Sequence, residues 1–460
     1  MLWVNVLSTG RRLSSSFSGN EVKQEFFKFF AQKGHKIVPS GPVIADDPSL
    51  AFTNAGMNQF KPILLGQVEP IYKRVANSQK CIRTGGKHND LEDVGRDMHH
   101  QTFFEMLGNW SFGDYYNKEA CEYAWEFLTE IMMIPPHRIY VSYFAGDRRL
   151  GLRPDKECLE IWKGLGVKDI NLVPAGYDSN FWEMADRGPC GPCTEIHVDR
   201  KNRKGQGHLV NVDGSDVIEL WNLVFMQFNR TGEAVFDPLP RRNIDCGMGF
   251  ERLVSVVQGV GSNYQTDVFL PLLNKIEELS EVKPTSDEIQ IAYRIVADHL
   301  RSVSIALSGG ANIYNSRFHS LRVMVRHLVS FSREVLKMDA HLMELVEYSL
   351  EFLSPTFPEL YDSETRKYIT STIQKQLKTQ QKQGRKAEIA FHDLAAGLKE
   401  GEALSVGKQL YLWVNYGCTP ELAQRFADRR RIELEKGVEE VWENYKRTGQ
   451  MPWTKRAQRN

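Results

Sequence analysis

The sequence predicts an α+β fold, a mostly antiparallel sheet flanked by helices and followed by an all-helical region. Three observations carry that expectation. Strand-like runs dominate the middle of the chain, near 78–83, 102–112, 138–144 and 216–229, and again around Ile244. Helical patterns flank them at 118–132 and 156–165. After about Gly261 the strand signals fade, and amphipathic helical patterns follow at 287–307, 320–336, 341–352, 363–396 and 421–445.

Taken in order, residues 1–20 stand apart. They hold Arg11, Arg12 and a Ser14–Ser16 run with no acid before Glu21, the pattern of a mitochondrial transit peptide. A plain disordered tail is the alternative. From Glu21, the residues Val22, Phe26, Phe27 and Phe30 share one helical face, and Gly34 offers a stop. Extended segments follow near 37–43 and 50–53. The strands at 78–83 and 102–112 make an antiparallel pair, joined by a polar loop containing Gly85 to Asp90. That loop is too long for a hairpin turn, and such loops tend to be functional.

At 243–252 a strand passes straight into a helix across Gly247 and Gly249, backbone bare enough for a phosphate or sugar to approach. Arg252 then stands in the first helical turn, where its fork suits phosphate oxygens, and Asp245 can face a small cation. An ordinary turn is the competing reading. The divisions expected are 1–20, 21–261 and 262–460. The segment after Glu443 is basic, with Lys446, Arg447, Lys455, Arg456 and Arg459, and reads as a solvated tail.

Composition sets limits. The 460 residues carry 58 Lys+Arg against 58 Asp+Glu, so nucleic-acid binding must come from local patches. No apolar run approaches the ~20 residues of a membrane helix. Seven cysteines suggest reduced thiols. Cys190 and Cys193 form a CxxC that invites a thiol–disulfide reading, but Pro189 and Pro192 predict an irregular loop instead of a helix N-terminus. No second ligand pair stands at zinc spacing, so no zinc is expected, and His99 and His100 read as part of a binding loop. Trp182 and the strand from Trp221 to Phe225 suit a stacked base and a fixed polar group, or else core packing. Arg322, Arg326 and Arg333 share a helical stripe, with His319 nearby, suited to RNA phosphates or to solvent.

Together these pieces resemble the class II aminoacyl-tRNA synthetases, and within them the alanyl family of the mitochondrial kind. The residues that carry the resemblance are 52–62 (FTNAGMNQFKP), Arg83 with 85–91 (GGKHNDL) and 102–109 (TFFEMLGN), and 247–252 (GMGFER). The runs 188–196 (GPCGPCTEI) and 222–230 (NLVFMQFNR) add to it. The match is dense from Glu21 to Gly261 and looser beyond.

The resemblance implies a two-step reaction: alanine and ATP give alanyl-adenylate, and the 3′ end of tRNA(Ala) takes the alanyl group. It implies that Arg83 holds the α-phosphate and Arg252 the γ-phosphate end, with Lys87 and its loop closing over the phosphates or the tRNA end. Gln101, Trp182, Asn222, Leu223, Val224 and Gly249 would complete the ATP site. Asp245 and Asn222 would hold alanine, and Mg²⁺ would bridge phosphates. Arg322, Arg326, Arg333 and Asn315 would meet the acceptor stem, in the mitochondrial matrix.

Departures are informative. Gln101 replaces the family's histidine beside His100, and Ala185 and Arg187 replace a Gly and a Thr. Val414 falls where the family reads a G·U wobble pair with Asp, so weakened reading of that pair is expected. No editing-type HxxxH is present, so hydrolysis of mischarged tRNA in cis is not expected, and a monomer is. The other classes open at this point are a redox enzyme and an idle synthetase-like RNA-binding protein.

Overall fold

A computed structural model describes residues 17–438 and 440, apart from 48–49, 86–87, 185–186 and 213. Most of the expected leader, Lys87, Ala185 and the basic tail lie outside the described residues.

In chain order the strands are β1 (Lys36–Ile37), β2 (Arg74–Ile82), the small hairpin β3 (Thr84–Gly85) and β4 (His88–Asn89), then β5 (Phe103–Phe112), β6 (Ile139–Phe144), β7 (Leu172–Ala175), β8 (Phe181–Glu183), β9 (Gly188–Asp199), β10 (Val217–Gly232) and β11 (Val235–Gly249). Among the described residues, all but the hairpin join in one sheet ordered β1-β2-β5-β11-β10-β9-β6-β7, with β8 on β9. The outer pairs β1–β2 and β6–β7 are parallel, and the rest are antiparallel. Helices α1 (Gly19–Gln32), α2 (Lys61–Leu64), α3 (Asn117–Glu126), α4 (Lys156–Gly164), α5 (Tyr177–Asn180) and α6 (Phe250–Val257) accompany it. The expected α+β architecture is present.

Residue alternation decides what the sheet does. Along β10 and β11, Trp221, Leu223, Phe225, Ile244, Cys246 and Met248 turn into one core. There Phe26 and Phe30 of α1, with Phe127, sit about 6 Å ring to ring from Trp221. α1 starts on a capping box, in which Ser18 and Glu21 satisfy each other's backbone N–H. The opposite face of the same strands carries Asn222, Val224, Asp245, Gly247 and Gly249, which open onto a cavity.

The 188–193 segment is a correction. It is no irregular loop but the first half of β9. Pro192 fits because the β9–β10 register jumps between Val224/Cys193 and Phe228/Cys190, a bulge that spares the ladder its missing N–H, while Pro189 is the second residue of the strand, opposite Asn229. Gly191 is required there, since a Cβ would sit 2.1 Å from the Phe225 carbonyl oxygen.

By compactness the chain divides into Met1–Thr370 and Ser371–Asn460, well past the boundary expected at 261. Helices α7 (Leu270–Leu279), α8 (Asp287–Ser308), α9 (His319–Ser330) and α10 (Leu342–Leu353) belong with the sheet. The reason is a buried polar stripe on α8. Arg294 donates to the Gly95 carbonyl at 2.9 Å, Asp298 accepts from Thr102 N at 2.9 Å, and Arg301 pairs with Glu251 at 2.7 Å. Steps of four and three put these on one helix face, bonded to the site loop and to the start of α6.

α11 (Ser363–Leu394) runs through the division. The second unit adds β12 (Ala403–Leu404), α12 (Val406–Tyr416), α13 (Pro420–Arg430) and β13 (Glu433–Leu434) around Phe391 and Phe426. The helix expected at 421–445 ends early: Arg431 takes a left-handed φ of 56° and the chain turns into β13.

Candidate active site

A cavity of about 320 Å³ opens on the polar face of β5, β11, β10 and β9. Arg83, Asp245 and Arg252 all line it, although the chain separates the first from the other two by more than 160 residues. Gln101, Trp182, Asn222, Val224 and Gly249 line it as well. Leu223 does not: it faces the core, because successive strand residues point to opposite sides. Lys87 lies outside the described residues.

Asp245 is buried on β11 and accepts a hydrogen bond from the Trp110 indole N–H at 2.6 Å. Burial pushes its carboxyl up to about 7 despite that bond. Trp110 lies flat over Gly108, where a Cβ would come 1.9 Å from the ring, so that position admits only glycine. Asn222 stands on the neighbouring strand opposite Gly247, two residues along from Val224, the partner of Asp245. Its Oδ1 is buried with no partner among the described residues. A carboxylate and an orphan carbonyl side by side suit an ammonium.

The two arginines are held by backbone carbonyls, which leave donors for a ligand. Arg83 Nε donates to Asn54 O at 3.1 Å, with its guanidinium 5.0 Å over the Phe104 ring. Arg252 Nη1, in the first turn of α6, donates to Glu219 O at 3.0 Å and also lies 3.6 Å from the Glu219 carboxylate. Gln101 is buried, its Oε1 taken by Asn263 at 3.0 Å and its Nε2 without a partner. That free donor belongs to a site that takes an acceptor.

Sequence reasoning missed Glu195 and Glu219 as site residues. Both line the cavity. Burial and then the charge of Glu219 push the Glu195 carboxyl up to about 8. An acid raised by burial and by a neighbouring acid, beside a phosphate-type site, fits a divalent cation bound by oxygen ligands. Glu195 stands opposite Asn222, so strand alternation offered a signal for it, whereas Glu219 is three residues from Asn222 and reaches the cavity side only through the register shift between Glu219 and Trp221.

Asp97, His99 and His100 also gather ligand atoms within 4.8 Å, which spacing alone did not predict. There Asp97 already accepts from the backbone N–H of both histidines and from His100 Nδ1. Burial, then Arg252, lowers His99 to about 4. Burial also works against the His100 imidazolium, but the Asp97 hydrogen bond outweighs it and the group is raised.

The arginines expected to meet RNA phosphates are less open than their stripe implied. Arg322 Nε donates to Ile313 O at 2.7 Å, and Arg333 pairs with Asp339 at 2.7 Å inside a π turn that follows α9. Asn315 is exposed, but its side chain caps a short helix at Arg317 N. All seven cysteines are buried. Burial lifts the Cys190 thiol to about 12 and raises Cys193 too, so neither supplies a thiolate at neutral pH. An aromatic disulfide reagent at pH 7 should find no fast-reacting thiol in the native chain and seven in denaturant. Rapid native reaction at Cys190 would reopen the redox reading.

Comparison with known proteins adds the following. The family of tRNA synthetases, class II (A), matches residues 21–459. The chain is 44% identical over 457 residues to the mitochondrial alanine–tRNA ligase of Saccharomyces cerevisiae, covering 94% of this chain and 46% of that protein. It is 49% identical to the cytoplasmic alanine–tRNA ligase of Bombyx mori (76% and 38% covered) and to the human mitochondrial one (74% and 35% covered). The chain thus spans less than half the length of these relatives.

Proposed function

Because the chain belongs to the tRNA synthetases of class II (A), we propose that it is an ATP-dependent alanine–tRNA ligase. The observation that carries this reading is that Arg83, Arg252 and Asp245 line one cavity. A triphosphate can then be gripped at two points while a small amino acid is anchored beside it.

Asp245 pairs with the alanine ammonium, and the free Oδ1 of Asn222 accepts a second N–H from it. This turns the alanine carboxylate toward the α-phosphate held by Arg83. The carboxylate attacks phosphorus, and pyrophosphate leaves toward Arg252. The terminal ribose hydroxyl of tRNA then takes the alanyl group and AMP departs. No protein nucleophile takes part, so the rate derives from alignment and from fixed cations facing the charge of the transition state. Glu195 and Glu219 would hold Mg²⁺, which screens the phosphate oxygens. Gln101 Nε2 donates to the nucleotide and Trp182 borders it.

The leader-like first twenty residues and the mitochondrial relatives support a place in the mitochondrial matrix. The test of the function is pyrophosphate exchange with ATP across a panel of amino acids. Exchange driven by alanine above all others is expected; exchange with none, or with a different residue, refutes the assignment.

Val414 bears on tRNA choice. It is 43% exposed on α12 and offers no hydrogen-bond acceptor. Replacing a G·U wobble pair by G·C in a tRNA(Ala) transcript is therefore expected to change charging only a few-fold. Abolished charging would contradict this.

A further inference from the structure

We propose that Asp97, His99 and His100 form a binding site for a divalent transition ion of the zinc type at the phosphate end of the cavity, through which zinc slows turnover. The site itself stands without the ligase reading; its effect on turnover rests on that reading.

The three side chains come from one short loop between β4 and β5 and bring a ligand atom each to within 4.8 Å of one another. The two oxygens of the carboxylate have different partners. Asp97 Oδ1 accepts from the backbone N–H of His99 at 3.0 Å and of His100 at 2.8 Å. That turns Oδ2 toward both rings: His100 Nδ1 shares a hydrogen bond with it, and His99 Nε2 lies 3.8 Å away. One imidazole satisfies a carboxylate oxygen, so a second ring nitrogen facing the same atom leaves a place for a cation among the three. Zinc bonds of ~2.0–2.2 Å put tetrahedral ligand atoms about 3.3 Å apart, so a small rotation of the His99 ring completes the set. The proton between Asp97 and His100 is the one the ion displaces into solvent.

The loop is fixed from outside the cluster. The turn at 262–264 holds three successive carbonyls: Asn263 N donates to Met98 O at 3.0 Å, Asn263 Nδ2 to His99 O at 3.1 Å, and Tyr264 Oη to His100 O at 2.9 Å. The ligands are therefore in place before an ion arrives, which is what outer contacts do for metal sites.

Position gives the site its consequence. His99 and His100 line the cavity with Asp90 and Arg252, and Asp97 stands behind the rings. The surroundings are mixed in charge, with Arg252 and Arg200 acting on His99 and Asp90 on His100. Three protein ligands leave a fourth tetrahedral position. On the cavity side a phosphate oxygen of ATP or pyrophosphate can fill it, and an ion shared in this way delays release. Imidazole suits zinc, cobalt and nickel, whereas magnesium prefers oxygen, so this site is chemically distinct from Glu195 and Glu219. Spacing along the chain predicted no zinc because these ligands are neighbours in a folded-back loop instead of two separated pairs.

The test loads the full metal-stripped chain with Co²⁺ and then displaces it with Zn²⁺. The parent should take a single Co²⁺, with the visible bands of a nitrogen- and oxygen-bound ion and no sulfur charge-transfer band. His99→Gln should weaken binding by about a hundredfold or more, beyond the ~10–100-fold that an outer contact typically costs. Asp97→Asn should weaken it in the same direction, and E195Q/E219Q should bind Co²⁺ like the parent. X-ray absorption of the zinc-loaded parent reads the ligands without any variant, and imidazole with oxygen is expected. In alanine-dependent pyrophosphate exchange at excess Mg²⁺, buffered Zn²⁺ should slow the parent several-fold as the site fills, while H99Q keeps its own zinc-free rate. Failure to bind Co²⁺, sulfur among the ligands, or equal affinity in H99Q overturns the site. Full occupancy without slower exchange overturns the effect on turnover. A parent that binds Co²⁺ but shows no exchange even without zinc or cobalt sinks the ligase reading, while the site stands on the Co²⁺ result.

Discussion

Asp245→Asn should reduce kcat/KM for alanine by roughly 10²–10³-fold while leaving KM for ATP within a few-fold. The change keeps the shape and the Trp110 hydrogen bond but removes the charge facing the ammonium. Losing one partner of a buried charge pair costs about 3–5 kcal/mol, and 1.4 kcal/mol is about tenfold in rate. Pyrophosphate exchange at varied alanine and ATP gives both constants.

The same residue sets a pH dependence. Only the ionised carboxylate pairs with the ammonium, and burial holds this group at about 7 in the free protein. kcat/KM for alanine should therefore climb about tenfold per pH unit below 7 and level off above it, since that ratio reports the free enzyme. Stability runs the other way. A raised carboxyl costs nothing while protonated in both states, so the contribution of Asp245 to stability is most favourable below the unfolded value near 3.8 and declines as pH rises toward 7. A flat alanine profile from pH 5.5 to 8 would rule out Asp245 as the anchor.

Arg301→Met should be the most damaging change outside the cavity. Arg301 and Glu251 are each only about 1% exposed, and the rest of the guanidinium faces rings, 4.3 Å from Phe269 and 5.2 Å from Phe103. Breaking a buried pair by removing one member costs about 3–5 kcal/mol, because the other charge is stranded. Here the stranded group is Glu251, which also accepts from Glu105 N at 3.2 Å and directly precedes Arg252. The expected result is a lower denaturation midpoint together with a raised KM for ATP. The double change E251Q/R301M should recover part of the stability, since no lone charge remains. A double variant as unstable as the sum of the singles would refute the stranded-charge account.

Much of this was legible in the sequence where local pattern and fold agree. The pair 78–83 and 102–112 became β2 and β5, and the glycines at 247 and 249 do carry β11 straight into α6. Asp245 and Arg252 were singled out because each sits at a strand end or a helix start, and Arg83 through the family resemblance; the fold brings all three to one cavity. What failed depended on distant partners. β9 was hidden by its prolines, of which Pro192 lies in the bulge opposite β10 and Pro189 near the strand's first residue. Leu223, given to the ATP site by the family resemblance, turns its side chain into the core because alternate residues face opposite ways. Glu195 and Glu219 looked like ordinary strand acids until pairing brought them to one cavity. The division at 261 followed a change of pattern and could not foresee three buried polar residues of α8 bonding back to the sheet's loops.

The alternation along β11 has a consequence for how this chain can change. Shifting a strand by one residue moves every side chain to the other side. One residue inserted between Ile244 and Gly249 would drive Asp245 into the hydrophobic interior and lift Ile244 or Cys246 into the substrate chamber. The bend between Thr231 and Val235, exposed and outside the cavity wall, carries no such penalty. Length variation should therefore accumulate at that bend and be purged from the last turns of chain before α6.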